Sequence, residues 1–234
     1  MASSLLTIRS LDAFYGRAHV LHKVSLPVDR GDIVAVLGRN GVGKTTLLKS
    51  IMGIEVTRRG EILFRDEDIS RLKPHEIAKR GIFYVPDDAG LFPGMSVMDN
   101  LRLAAGKKNF STEPLEDIYP EIKGLLNRRA DLLSGGERKI VSILRSLLTG
   151  SEILLLDEPT EGVMPLMVKR IHSMLDTLKK RGMTIILIES GTKLQHIMGI
   201  ATKISVMSSG RIVYFGEKEK AEGELDIIKK HLFV

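Results

Sequence analysis

The residues from Gly38 to Thr45 combine glycine, lysine and threonine at a spacing that suits phosphate chemistry. They read GRNGVGKT, and Gly43 and Lys44 precede the final threonine. Glycines let consecutive backbone N–H groups turn inward around phosphate oxygens, and a helix that begins there adds its positive end. At this spacing we expect Lys44 to reach the β- and γ-phosphates of a nucleoside triphosphate and the Thr45 hydroxyl to ligate Mg²⁺. From the usual frequency of glycine, such a match arises by chance in about one chain in a hundred of this length.

Two adjacent acids follow a short apolar run later in the chain. Asp157 and Glu158 stand directly after Ile153–Leu156 in the segment ILLLDEP. Either acid alone would indicate an ordinary strand-end or helix-start carboxylate. At the end of a buried strand, however, Asp157 can hold Mg²⁺, directly or through water, and Glu158 can orient or deprotonate an attacking water. In a chain that also has the phosphate loop, this pair predicts metal-assisted hydrolysis.

A second glycine segment reads LSGGE. Its Ser134, Gly135 and Gly136 precede the amphipathic stretch Glu137–Leu148, so we expect them at a helix N-terminus, which again attracts anions. One domain has no need of two such helix ends for a single triphosphate. The second is explained if it faces a triphosphate held by another copy.

The hydrophobic pattern predicts the strands and helices that must position these groups. Strands are predicted at Leu5–Ser10, Val24–Val28, Ile33–Leu37, Glu61–Phe64, Ile82–Val85, Ile153–Asp157 and Thr184–Glu189, with a hairpin of Lys203–Met207 and Arg211–Phe215. Helices are predicted at Thr45–Met52, Met167–Lys180 and Lys218–Leu232, and Tyr15–Leu21 is expected to join the first two strands. The stretch from about Ser96 to Leu148 has a helical pattern, broken near Gly106 and Pro114. The alternation of strands and helices predicts an α/β fold around a largely parallel sheet.

Composition excludes several classes of protein. The 234 residues are 43% hydrophobic and 27% charged, as in an ordinary globular protein. No apolar run approaches the roughly 18 residues of a membrane span, and the opening MASSLLTIRS predicts no secretory signal. Without cysteine, disulfides and Cys-ligated metals are excluded. The net charge of +6 permits attraction to nucleic acid, but Lys and Arg are scattered and only 5% of residues are aromatic, so we expect a solvated basic surface and no nucleic-acid partner.

With the phosphate loop, LSGGE and ILLLDEP in this order, the chain resembles the ABC (ATP-binding cassette) ATPases over essentially its whole length. The stretches LGRNGVGKTTLLKSIMG, GIFYVPDDAGLFPGMSVMDNL and DEPTEGVMP are similar to the smaller ATP-binding subunit of branched-chain amino acid importers and to the corresponding subunit of urea/amide importers. The Thr160-Glu161-Gly162 turn leans toward the urea/amide group. The resemblance implies a P-loop NTPase core with an antiparallel β subdomain in residues 1–88 and 150–234, and a helical insertion carrying LSGGE in residues 89–149.

The resemblance also implies how the protein works. ATP and Mg²⁺ are its cofactors, and two ATP molecules are held between two subunits, each sandwiched by the phosphate loop of one and the LSGGE segment of the other. The second subunit is either another copy or a paralogue. ATP hydrolysis then powers import of a small polar solute through an integral membrane permease, with a periplasmic or extracellular solute-binding protein as an indirect partner. The expected location is the cytoplasmic face of the cell membrane.

Residue roles follow from the resemblance. The implied nucleotide-binding residues are Tyr15, Gly38, Asn40, Gly41, Gly43, Lys44, Thr45, Thr46, Asp87 and Asp157, with Ser134, Gly135 and Gly136 for the neighbouring subunit's ATP. The implied catalytic residues are Lys44, Glu158 and Ser190, and the implied metal-binding residues are Thr45, Asp87 and Asp157. Tyr15 would stack on adenine, although a half-buried aromatic at a strand end explains it equally well.

Two further segments have implied contacts. Gly162 to Pro165 would form a loop that crosses to the partner subunit, and Asp88 to Met98 would face the permease. The apolar contacts in the second segment would be Leu91, Phe92 and Met95, for which packing inside the helical insertion is an equally good interpretation.

Two positions depart from the family pattern. Asp87 stands where most members have a Gln that senses Mg²⁺ and the attacking water, and Ser190 stands where they have a His, or a Gln in the amino acid importers. Because a hydroxyl reaches less far than an imidazole or amide, we expect weaker sensing of the γ-phosphate. These departures leave open a regulatory subunit with little turnover, and the basic charge leaves open a soluble ABC ATPase acting on nucleic acid, although such proteins usually carry two cassettes in one chain.

Overall fold

The structure is a computed structural model that describes residues 4–106 and 110–233. Residues 1–3, 107–109 and 234, which the predicted domains include, lie outside the described residues. The strands are β1 (Ser4–Tyr15), β2 (Ala18–Asp29), β3 (Ile33–Gly38), β4 (Thr57–Phe64), β5 (Glu67–Asp68), β6 (Ile82–Val85), β7 (Ile153–Asp157), β8 (Thr184–Ser190), β9 (Lys203–Ser208) and β10 (Arg211–Glu217). The helices are α1 (Lys44–Met52), α2 (Pro74–Lys79), α3 (Val97–Ala105), α4 (Glu113–Glu116), α5 (Gly135–Leu147), α6 (Pro165–Lys180), α7 (Leu194–Met198), α8 (Lys218–Gly223) and α9 (Leu225–Phe233).

Continuous apolar runs form the centre of the larger sheet. Every residue of β3 and of β7 is buried, as expected of parallel strands that are covered on both faces. The sheet has six strands in the order β10-β9-β3-β8-β7-β6. All neighbouring pairs are parallel except the hairpin of β9 and β10 at one edge. The prediction of an α/β fold around a mainly parallel sheet is therefore confirmed.

The two faces of this sheet pack into separate hydrophobic layers. On one face, Ile33, Ala35 and Leu37 of β3 pack with buried residues of α5 and α6. On the other, Val34 and Val36 pack with α1 and with the smaller sheet. Because the strands are held from both sides, their carboxyl ends form a rigid edge, and open sheets of this type bind ligands at that edge.

The smaller sheet is antiparallel, with strand order β2-β1-β4-β5. This confirms the expected antiparallel β subdomain, but the predicted limits of its first strands were wrong. The segment Tyr15–Leu21 was expected to be a connection, whereas β1 continues to Tyr15 and β2 already begins at Ala18. The cause is a pair of irregularities at Ser10 (φ 47°) and Lys23 (φ 49°), next to shifts in the pairing register. Such bulges break the alternation of apolar and polar residues on which the prediction rested.

The helical predictions hold with small shifts. α1 and α6 lie where they were predicted, the stretch from Ser96 to Leu148 contains helices and no named strand among its described residues, and α8 and α9 divide the predicted terminal helix at Glu224. The short helix α2 was not predicted, although Pro74 at its start, followed by Glu76 accepting a hydrogen bond from the Lys73 N–H, is a recognisable start signal. Across residues 4–106 and 110–233, no helix combines the length and the apolar character needed to cross a bilayer.

The turn between β9 and β10 braces the loop that precedes α1. The N–H of Gly210 donates to the Val42 carbonyl, and its own carbonyl accepts from the His22 N–H, both at 2.9 Å. Gly210 adopts a φ of 72°, and a Cβ atom there would overlap the Val20 carbonyl oxygen. Glycine is therefore required at this position for two reasons, its left-handed backbone and the close approach of β2.

We predict that Gly210→Ala destabilises the protein more than Gly150→Ala does. Gly150 has nearly the same φ, 69°, but nothing lies within 4 Å of its added Cβ. In both variants an alanine must adopt a left-handed backbone conformation, which costs about 1–2 kcal/mol. Only Gly210→Ala adds a backbone overlap, for which we expect roughly 1–3 kcal/mol more. Urea unfolding of the two variants measures the difference, and equal losses would contradict the close approach of Gly210 to β2.

Candidate functional site

The loop between β3 and α1 surrounds a cavity of about 170 Å³, which we call the phosphate cavity after the predicted role of this loop. The cavity is lined by Val20, Asn40, Gly41, Gly43, Lys44, Thr45, Thr46 and Glu158. Gly43 caps the start of α1 with a φ of 106°, and a Cβ there would come within 2.8 Å of the Leu21 side chain. The structure describes every residue of α1, and none of those in its first turn is acidic. The N–H groups at the start of this helix thus face a cavity suited to an anion.

Lys44 lies inside this loop with its charge directed at oxygen atoms. The residue is only 4% exposed, and its Nζ donates to the carbonyls of Gly38 and Arg39, each at 3.1 Å. The same Nζ lies 3.2 Å from Oε1 of Glu158. The residues predicted to bind phosphate and to act on water are therefore in direct contact.

Asp157 is the last residue of β7, and each of its two carboxylate oxygens accepts a hydrogen bond. Its Oδ1 accepts a hydrogen bond from the Thr45 hydroxyl at 3.0 Å, and its Oδ2 accepts one from the Tyr84 hydroxyl at 2.8 Å. Burial raises the pKa of the Asp157 carboxyl, and the two hydrogen bonds oppose this rise. Tyr84 was missed in the sequence, although a tyrosine hydroxyl in a strand that runs into the core requires a polar partner.

Glu158 has an unusual backbone for a catalytic candidate. Its φ is 45°, in the left-handed region, which costs a non-glycine residue about 1–3 kcal/mol unless its surroundings hold it there. Its N–H donates to the Ile188 carbonyl at 3.0 Å, and its own carbonyl accepts from Lys139 at 3.0 Å. With its carboxylate against Lys44, the residue is thus held at three points.

Asp87 pairs with a buried cation. Its Oδ1 accepts from Nζ of Lys139 at 3.0 Å, a lysine that none of the sequence motifs contains. The Asp87 side chain is 69% exposed, whereas the Lys139 side chain is 7% exposed. The role of Asp87 toward metal stays a prediction, because in this arrangement its charge is directed to Lys139.

Ser190 and its neighbour Glu189 lie at the end of β8. The Ser190 hydroxyl is 3.1 Å from that of Thr192, and both residues line a second cavity of about 450 Å³ that shares Asn40 with the first. Glu189 is fully buried, accepts hydrogen bonds from the N–H (2.9 Å) and the hydroxyl (2.6 Å) of Thr160, and lies 3.5 Å from Lys193. Burial raises the pKa of Glu189. Glu189 was also missed, although an acid inside the apolar run of β8 is a signal of a buried polar contact.

The LSGGE segment begins α5, as predicted. The Ser134 hydroxyl accepts from the Glu137 N–H at 3.2 Å, and the Glu137 carboxylate accepts from the Ser134 N–H at 2.7 Å, which is a complete capping box. Gly135 lines a cleft of about 220 Å³ with Asp87, Asp88, Ala89, Arg138, Lys139, Glu161 and Gly162. Gly136 packs against Met167 of α6. None of the three predicted residues from Ser134 to Gly136 lines the phosphate cavity.

Two further predictions concern apolar residues. Tyr15 is 37% exposed at the end of β1 and is not among the lining residues of the phosphate cavity, so its contact with adenine stays a prediction. Of the residues expected to face a permease, Phe92 is exposed, whereas Leu91 packs against the core and Met95 is half-buried. Phe92 therefore fits an external contact best.

Known proteins resemble this chain in sequence and in fold. Residues 21–161 match the ABC transporter family. The high-affinity branched-chain amino acid transport ATP-binding protein BraG of Pseudomonas aeruginosa is 30% identical over 214 residues, which are 89% of this chain and 91% of that protein. The lipopolysaccharide export system ATP-binding protein LptB of Escherichia coli is 34% identical over 218 residues, 90% of each chain. A solved ATP-binding cassette of an ABC transporter, in its ADP conformation, superposes with a TM-score of 0.82 at 26% identity and covers 97% of this chain and 99% of its own.

We predict that Tyr84→Phe lowers the free energy of unfolding through Asp157. Removing a hydrogen bond to a charged, buried group is expected to cost about 1.5–3 kcal/mol. In an Asp157→Asn background, where the acceptor is neutral, we expect the same substitution to cost about half as much. Urea unfolding of the four proteins at pH 7 completes this double-mutant cycle, and an equal loss in both backgrounds would show that Tyr84 does not act through the carboxylate.

Proposed function

This chain belongs to the ABC transporter family and is an ATP-binding, ATP-hydrolysing subunit of a transporter, and we propose that it powers a membrane permease that imports a small polar solute. Branched-chain amino acids and urea or amides are the proposed solutes. The observation that carries the proposal is the contact of Lys44 with Glu158 inside the phosphate cavity, with the Thr45–Asp157 pair beside it. The segments that resemble the importer subunits support import, and the likeness to BraG supports an amino acid as the solute.

The site has the side chains that an ATP–Mg²⁺ complex requires. The Thr45 hydroxyl and the Asp157 carboxylate, 3.0 Å apart, are hard oxygen donors of the kind that Mg²⁺ prefers, and these two would hold the ion. The bound ion would offset negative charge on the phosphates. Lys44 would exchange its present carbonyl partners for phosphate oxygens, and the Glu158 carboxylate would accept a proton from the attacking water.

We propose a second subunit because the start of α5, a helix end suited to an anion, does not line the phosphate cavity of its own chain. The start of α5 at Ser134 is exposed and stands outside the phosphate cavity, as a contact to a neighbouring subunit's ATP requires. The loop from Gly162 to Pro165 would cross to that subunit. In this arrangement the pair lies at the cytoplasmic face of the membrane, Phe92 contacts the permease, and the predicted boundaries at residues 88/89 and 149/150 separate the core from the part that carries Ser134.

A second candidate is an export system, favoured by the 34% identity to LptB. The two are separated by purifying the tagged chain from native membranes, identifying the permease that accompanies it and reconstituting the complex in proteoliposomes. Import predicts ATP turnover that rises when a solute-binding protein loaded with leucine or urea is added on the opposite side. ATP turnover that does not change when such binding proteins are added, but rises with lipopolysaccharide, would overturn the proposal of import.

Lys44→Ala is predicted to lose ATP affinity. Loss of a charge-assisted contact of about 1.5–3 kcal/mol corresponds to a rise in Kd of roughly 10- to 150-fold. Lys49→Ala is the matched control, because Lys49 lies on the same helix but pairs with Glu55 at 2.6 Å. Titration with a fluorescent ATP analogue measures both, and an unchanged Kd for Lys44→Ala would contradict the assignment of the phosphate loop.

Glu158→Gln is predicted to separate binding from hydrolysis. The amide cannot accept the proton of water, so we expect turnover to fall by about 10²-fold or more while ATP still binds. A dimer that persists with ATP should then appear in light scattering after size exclusion. Hydrolysis at the wild-type rate would remove Glu158 from its proposed role.

A further inference from the structure

One buried lysine joins three segments that the proposed reaction depends on. Lys139 lies in the second turn of α5, the helix that starts with the LSGGE residues, and is 5% exposed. Its Nζ lies 3.0 Å from Oδ1 of Asp87, 3.0 Å from the Glu158 carbonyl oxygen and 3.4 Å from the Asp157 carbonyl oxygen. An ammonium group has three N–H donors, so these three acceptors use its full capacity.

The buried charge of this lysine requires an acid such as the one at position 87. A buried ammonium is stable only with a counter-charge and hydrogen bonds, and Asp87 is the carboxylate within salt-bridge distance of Lys139 among the described residues. The two carbonyls supply hydrogen bonds but no charge. A neutral residue at 87 would therefore leave Lys139 uncompensated, and a neutral residue at 139 would leave Asp87 without its cation.

The two carbonyl contacts act on the hydrolytic residues themselves. Glu158 has a left-handed backbone with φ 45°, and its carbonyl direction is fixed by the contact from Lys139. Its carboxylate, 3.2 Å from Lys44, is placed by that backbone. Because Lys139 is carried by α5, any rotation of α5 relative to β7 would pull on the backbone of Glu158.

We propose that Lys139 is a positioning residue for hydrolysis, which holds the Glu158 backbone from the LSGGE helix and forms an obligate charge pair with Asp87. This rests on the proposed role of Glu158 and adds a residue that the motifs do not contain. Lys139 is not among the residues that line the phosphate cavity and contacts that lining through the Glu158 carbonyl, so its loss acts through the placement of Glu158 and not through ATP affinity.

The test is the response of kcat and ATP affinity to substitution at 139 and 87. Lys139→Met, which keeps the stem and removes the charge, should lower kcat by about tenfold or more while the Kd for ATP changes by less than about twofold. Lys180→Met is the control for loss of a lysine, since its side chain is 74% exposed on α6 and pairs only with Asp176 among the described residues. Lys139→Gln, which can still donate to one carbonyl, should give a smaller loss and replaces the Met variant if that one does not fold. A rate equal to wild type in a folded Lys139 variant, or a loss of ATP affinity as large as the loss of kcat, would overturn the positioning role.

The charge pair is tested by Asp87→Asn, Lys139→Gln and the double variant. The double variant restores neutrality, so its kcat should exceed the product of the two single effects by about threefold or more. Strictly multiplicative effects would overturn the pair. Glu158→Gln separates this inference from the proposed function: wild-type turnover in Glu158→Gln refutes the role of Glu158 itself, whereas a dead Glu158→Gln beside a fully active Lys139→Met refutes only the role of Lys139.

Discussion

The structure depends on the burial of one carboxylate, which lies at the carboxyl end of β7 in the larger sheet. Asp157 is 2% exposed, yet it carries the charge that the proposed metal site requires. A buried carboxylate is tolerated only where donors surround it, and here Thr45 from the phosphate loop and Tyr84 from β6 each occupy one oxygen. These two bonds fix the first turn of α1 against the ends of β6 and β7. Through this side chain, the elements on one side of the phosphate cavity are joined to each other.

Glu158, the residue after this carboxylate, has a strained backbone that contacts from several elements hold in place. Glu158 has a left-handed backbone, held by Ile188 of β8 through its N–H, by Lys139 of α5 through its carbonyl and by Lys44 through its carboxylate. Each holding residue belongs to a different element, so Glu158 senses the relative position of the core and the LSGGE helix. If Glu158 has the catalytic role proposed for it, its need of several partners suits a reaction that proceeds only when the parts are correctly assembled.

The sequence predicted the groups whose chemistry depends on local order along the chain. The phosphate loop, the strand that ends at Asp157 and the helix that starts after Ser134 each lie within one short segment, and the structure has them as expected. The sequence did not predict Tyr84, Lys139 or Glu189, whose partners are 73, 52 and 29 residues away. A side chain's distant partner is decided by strand order and helix packing, which periodicity does not encode. The strand limits around Ser10 were missed for a local reason, since a bulge breaks the pattern that defines a strand.

The two departures from the family pattern have different consequences in this fold. Asp87 is matched by a cation from α5, so the acid is compensated inside the same chain. The short side chain of Ser190 has no comparable compensation: its hydroxyl lies 3.1 Å from that of Thr192, and both line a cavity that shares Asn40 with the phosphate cavity. Glu189 behind it is tied to Thr160, at the start of the loop that leads to Gly162. The end of β8 is thus connected, through Glu189 and Thr160, to the start of the loop that is proposed to face the partner subunit.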